Sequence, residues 1–180
     1  MKELKLYAVV LGGAAEKSNT ELHDVVFAVG KSIEDCYTQL LDKWFGIKEK
    51  MHIDSYIELD VVDGYEISLE KEKSDNSDKK LFFINLGAYK EGDFMEHHAN
   101  TFLVGGLATE IKNRAKAKLL KGYDEVHKDD LYEVDDMIAI EELEGYHVHL
   151  NPTTKTENLK PINGYHVLPK KVVRDYLASH

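Results

Sequence analysis

Apolar and polar positions along this chain fall into a pattern that occurs twice. Leu6–Leu11 is a short apolar run stopped by Gly12-Gly13, which reads as a strand. Glu21–Val29 alternates, placing Glu21, His23, Val25, Phe27 and Val29 on one face of a second strand. Ser32 then stands as a helix N-cap before Glu34 and Asp35. Ile33, Cys36, Tyr37, Leu40, Leu41, Trp44 and Phe45 follow at spacings of three and four, the period of one buried helix face, and Gly46 suits the end of that helix. A third strand over His52–Val61 leads through Asp63-Gly64, a strong hairpin signal, into a fourth over Tyr65–Leu69.

A shift of 75 positions lays Lys5–Asp60 on Lys80–Asp135 without a gap, and 15 of the 56 pairs are identical. Among them are Gly12/Gly87, Glu21/Glu96, His23/His98, His52/His127, Asp54/Asp129, Glu58/Glu133 and Asp60/Asp135. After a further six residues the match resumes, with Gly64-Tyr65 on Gly145-Tyr146. The second copy repeats the elements, with strands over Leu81–Leu86, Glu96–Val104, Leu131–Val134 and Tyr146–Leu150 and a helix over Thr109–Leu120. That helix carries a thin apolar stripe (Ile111, Ala115, Leu119, Leu120) and a basic remainder, able to dock an acidic partner or the acidic first copy. The expected organisation is a first ββαββ repeat over 1–69, a charged linker over 70–79, a second repeat over 80–150 and an extension over 151–180. In the extension Gly164-Tyr165-His166-Val167 echoes Gly145-Tyr146-His147-Val148. A helix after Pro169 would bury Val172, Val173, Tyr176 and Leu177. The fold class is α+β, two duplicated units packed about a pseudo-two-fold axis with the extension folded back on them.

Several segments resemble the bacterial "domain of unknown function 1543" family in its two-copy form: Glu-Leu-His-Asp-Val-Val-Phe (21–27), His-Ile-Asp (52–54), Asp-Val-Val-Asp-Gly-Tyr (60–65), Lys-Leu-Phe-Phe-Ile-Asn-Leu-Gly (80–87) and Glu-Val-Asp-Asp (133–136). The resemblance covers about residues 5–150. It implies a small bacterial cytoplasmic protein and assigns no activity and no functional residues.

Bulk chemistry narrows the function classes. A net charge of −10 and a pI near 5.4 oppose non-specific nucleic-acid binding, which depends on neutralising phosphates. No apolar stretch reaches the ~20 residues that span a bilayer, and the apolar run after the acid-bearing N-terminus reads as a strand, not a signal peptide. The expected location is the cytoplasm. One cysteine, Cys36, excludes an intrachain disulfide and falls on a helix's apolar stripe, the place of a small core residue rather than a nucleophile. Open sheets leave edges, so a homodimer is the default assembly.

Two duplicated polar sets are the candidate ligand or metal residues. Glu21/His23 and Glu96/His98 are spaced by two, which puts carboxylate and imidazole on one strand face as an ion pair or as two ligands. As a structural pair they predict that His23→Ala and His98→Ala destabilise the fold. His52/Asp54 and His127/Asp129, with Glu58, Asp60 and their counterparts, share a face if the strand runs unbroken. That face is either solvated or able to hold a divalent cation. His97-His98 looks like a metal pair, but adjacent strand residues point opposite ways. The expected function is a soluble binding or self-associating module. The alternative is a metal-dependent small-molecule enzyme with its duplicated His, Glu and Asp near the pseudo-dyad. A unit begun at its second strand is reminiscent of vicinal-oxygen-chelate modules, although its last strand, Leu81–Leu86, offers no carboxylate.

Overall fold

A computed structural model describes residues 3–73, 78–88, 91–119 and 134–180. The chain is α+β, with three mostly antiparallel sheets and few helices. In order come β1 (Lys5–Gly13), β2 (Leu22–Gly30), α1 (Tyr37–Lys43), β3 (His52–Glu58), β4 (Val61–Val62) and β5 (Tyr65–Glu70). Then follow β6 (Lys80–Ala88), β7 (His97–Gly105), α2 (Ala108–Leu119), β8 (Val134–Ile140), β9 (Glu142–Leu143), β10 (Tyr146–Pro152), β11 (Ile162–Val167) and α3 (Lys170–Ser179). No helix among the described residues is long and apolar enough to cross a membrane.

The sheet orders are β11-β3-β1-β2, β7-β6-β8 and β4-β5-β10-β9. Strand alternation sends β1 to two cores. Tyr7, Val9 and Leu11 face outward with Val26, Ala28 and Ile53, under Cys36, Leu40, Leu41 and Trp44 and under Val172, Val173 and Tyr176 of α3. Leu6 and Ala8 face inward with Phe27 and Val29 and meet Leu81, Phe83, Phe102 and Val104 across the β5–β10 sheet. A third core lies where Ile111 and Ala115 of α2 cover Phe82, Ile84 and Leu86. β6 pairs with β7 and β8 as β1 pairs with β2 and β3.

Both short hairpins turn through left-handed residues, Asp63 (φ 54°) with Gly64 (φ 80°) and Glu144 (φ 53°) with Gly145 (φ 71°). That is the pairing a two-residue turn with right-handed strand twist requires.

Two expectations change. The helix expected over residues 32–46 is a 3₁₀ turn over Ile33–Cys36 followed by only seven α-helical residues. The chain leaves the helix at Trp44 (ψ 123°), so that the Ile47 N–H reaches the Ala14 carbonyl at 2.8 Å. Phe45 is thereby turned 59% to solvent instead of into the core. Leu177, expected under α3, is 41% exposed, while Leu168 before that helix is buried. Of the strand expected near Leu131–Val134, residues 131–133 lie outside the described residues, and the described strand runs Val134–Ile140.

Cys36 is fully buried, its Sγ 3.6 Å from the Ser32 carbonyl, and burial pushes its thiol up to about 12. At pH 8 the reactive thiolate is then about one part in ten thousand. Native protein should resist iodoacetamide over hours and become labelled within minutes in denaturant. Rapid labelling of the native chain would show the site to be open.

Candidate functional site

At the end of β1 the strands on either side of it bring four of the candidate side chains together. His23 on β2 and His52 on β3 both pair with Gly12 of β1, so both project from the same face as that glycine. Glu21 enters from the residue before β2. Asp54 enters through a bulge: β1 steps from Val10 to Leu11 while β3 passes from Ser55 to Ile53, leaving Asp54 as the extra residue. On its other edge β3 pairs with β11, which carries its own extra residue between Asn163 and His166, opposite the same Asp54. Bulges re-aim side chains, and two of them coincide at this carboxylate.

The donor atoms form a closed ring. His52 Nε2 lies 3.0 Å from Glu21 Oε1 and 3.2 Å from Asp54 Oδ1; His23 Nε2 lies 3.1 Å from Asp54 Oδ2 and 3.9 Å from Glu21 Oε2. The His52 side chain is 3% exposed, and its Nε2 and Asp54 Oδ2 are both buried without a hydrogen bond. His52 Nδ1 lies 3.4 Å from the Lys50 carbonyl. A proton held on Nδ1 by that carbonyl leaves Nε2 as a bare lone pair facing carboxylate oxygens. Acceptors so opposed need a cation between them, either a proton on the imidazole or a metal ion. Gly12 makes the ring possible: a Cβ there would lie 2.5 Å from Asp54 Oδ2 and 2.6 Å from His52 Nε2.

The two ring members on the solvent side, His23 and Glu21, are 53% and 50% exposed. Beside them, burial raises the Asp24 carboxyl, with a smaller contribution from Asp136 against the lowering effect of the Val25 N–H. Tyr165 of β11 lies over the His52 ring, centroids 4.1 Å apart. Among the described residues, no three or more His, Cys, Asp or Glu side chains stand ready to hold a metal ion as they are. Here the four are drawn in on one another.

The acidic strand face did not form as expected. The bulge interrupts it, His52 is buried, Glu58 pairs with Lys5 at 2.7 Å, and Asp60 lies beyond the strand end. In the second copy His98 stands opposite Gly87, with Nε2 3.7 Å from Glu96, while its neighbour His97 pairs separately with Asp93 at 2.6 Å. His127 and Asp129 lie outside the described residues. The register nonetheless revises their role as counterparts. Ile53 faces Leu11 and Val134 faces Leu86, so the strands match at an offset of 81 and not 75. The six extra residues therefore precede β8, and Asp135 holds the bulge position of Asp54. By the same count Glu133-Val134-Asp135 takes the place of His52-Ile53-Asp54 in the sequence.

Sequence reasoning paired Glu21 with His23 and His52 with Asp54 but did not join the two sets. It also missed Gly12 and Tyr165. The signal for Gly12 was its identity with Gly87, and for Tyr165 the echoed Gly-Tyr-His-Val.

A family model described as Domain of Unknown Function (DUF1543) matches residues 18–69 and 93–150. A solved structure, "Crystal structure of a protein Il1583 from Idiomarina loihiensis", is similar at a TM-score of 0.73 with 31% sequence identity, over 93% of this chain and 99% of that one. No curated protein matches.

Proposed function

The chain belongs to the Domain of Unknown Function (DUF1543) family, and for this member we propose a binding function, the ring of Glu21, His23, His52 and Asp54 taking a divalent transition-metal ion. The observation that carries the reading is the buried His52 Nε2, which faces two carboxylates without a hydrogen bond. Two imidazoles and two carboxylates are a donor set for zinc and its neighbours. The four imidazole–carboxylate distances run from 3.0 to 3.9 Å, each carboxylate turning one oxygen to each imidazole, so the four side chains already converge on one point. Glu21 and His23, half-exposed, are free to swing outward and admit the ion.

We further infer that the two repeats are related by an approximate two-fold axis between β5 and β10. The sheet order β4-β5-β10-β9 supports this, as does the bulge repeated in β3 and β8.

The test is titration of chelator-treated protein with Co(II), read by its visible d–d bands, and with Zn(II), read by thermal melting. At about a hundred times Kd the ion adds roughly 2.7 kcal/mol, a rise of roughly 5–10 °C for a chain of this size. His52→Ala should abolish the strongest Co(II) spectrum. No spectrum and no shift with any of Zn(II), Co(II), Ni(II) or Mn(II) would remove the metal reading and leave the ring as a protonated structural cluster. A metal-dependent small-molecule enzyme is the second reading. It rests on the exposure of His23 and Glu21: an ion held by three of the four residues, with one of these two swung away, would keep the solvent position that distinguishes catalytic from closed zinc sites.

A further inference from the structure

We propose that β11 is a strap over the first-copy site, with Tyr165 as the positioning residue that shields His52 and holds its imidazole in the ring. The inference deepens the metal reading and rests on it for its effect on ion exchange. Its structural content stands on separate observations.

All six residues of β11 are exposed, and Tyr165 is 71% exposed although its ring lies over His52. One side of the phenol, tilted 41° to the imidazole, therefore covers it while the rest meets water. The strand is held on β3 by two register pairs on each side of its extra residue, Ile162↔Tyr56 with Asn163↔Ser55 and His166↔Ile53 with Val167↔His52. Ser55 Oγ adds a 2.7 Å hydrogen bond to Asn163 Oδ1. Firm anchors lie outside the strand. Leu168 is buried and α3 packs on the outer core. Upstream, Leu159 packs on the inner core and Glu157 accepts the Asp63 N–H at 2.7 Å. An exposed strand with little apolar burial, tethered at both ends, can open locally while the body stays folded. The extra residue in β11 matters because a regular ladder has no residue to spare opposite Asp54. The irregularity supplies one and sets the aromatic on the ligand. The β7-β6-β8 sheet carries no such fourth strand among the described residues, so the strap belongs to one site.

The experiment is carbethoxylation of the metal-free protein by diethylpyrocarbonate, with rates at His52 and His23 read by peptide mass spectrometry. Wild type is compared with Tyr165→Ala and Tyr165→Phe, and Zn(II) release to a competing chelator is measured on the same three proteins. His52 should react about tenfold faster in Tyr165→Ala and at the wild-type rate in Tyr165→Phe, with His23 unchanged in all three, since it is already open. Zn(II) release should quicken only in the alanine variant. Equal His52 rates in wild type and Tyr165→Ala overturn the strap. So does a parallel rise at His23, which would mark general loosening. If wild type takes up no Zn(II), the metal reading falls while the labelling still decides the strap.

Discussion

Gly12→Ala should abolish metal binding at the first-copy site and lower the melting temperature of the metal-free protein. Gly12 lies inside a strand at ordinary extended geometry, so alanine there would ordinarily be gained stability, about 0.5–1 kcal/mol. The opposing term is steric. The new Cβ would stand 2.5 Å from Asp54 Oδ2, 2.6 Å from His52 Nε2 and 3.2 Å from Asp54 Cγ. His52 is buried against Tyr165 and cannot retreat without breaking that ring contact, and Asp54 is fixed by bulges on two ladders. Overpacking of this kind costs about 1–3 kcal/mol, so the net destabilisation is about 1–2 kcal/mol. Co(II) titration and a melt of the same preparation check both parts. A variant that binds Co(II) with wild-type affinity would show that the ring is not where the ion sits. One that binds nothing yet melts normally would show that the ring's only tight constraint is the ion.

The elements were readable in the sequence because each rests on local chemistry. Alternation, glycine stops and Asp63-Gly64 placed most of the strands within one or two residues. The β3 boundary was misjudged because Asp60, a turn residue, sits inside an otherwise strand-like run. The site was half legible. Spacing of two joins Glu21 to His23 and His52 to Asp54, but nothing local says that β1 lies between their strands and brings the two sets against one glycine. The sequence reading also assigned the structural burden to His23, which is half-exposed, whereas the buried imidazole is His52. The offset was read as 75 as far as Asp60 because an ungapped match rewards chance identities. The strand register, which must keep apolar residues facing the core, settles it at 81 for β8.

Asp63→Ala should be the most damaging single change at the junction between the two copies. Asp63 Oδ2 accepts from Arg114 Nη2 at 2.5 Å and from the Val104 N–H at 2.9 Å, while Arg114 Nη1 donates to the Val104 carbonyl at 2.9 Å. One carboxylate, Asp63, thus joins α2 and β7. Alanine removes both bonds, leaves the guanidinium with only the Val104 carbonyl and Glu110 Oε1 at 3.4 Å, and must adopt the left-handed turn (φ 54°) that Asp tolerates better. With side chains 25% and 36% exposed, the ion pair itself is discounted for solvent. The sum is about 2–4 kcal/mol, dominated by the bonds to charged groups. Asp63→Asn keeps the turn and an acceptor for Val104, and should cost about half as much. At the opposite junction Lys43 meets Glu144 at 2.6 Å, and the Val29 backbone is served by the neutral Gln39 instead. Lys43→Met should therefore cost only about 0–1 kcal/mol. Urea melts of the single and double variants at Asp63 and Arg114 give the coupling, expected at about 1–2 kcal/mol. A coupling near zero would mean that the two copies are held by their shared apolar core alone.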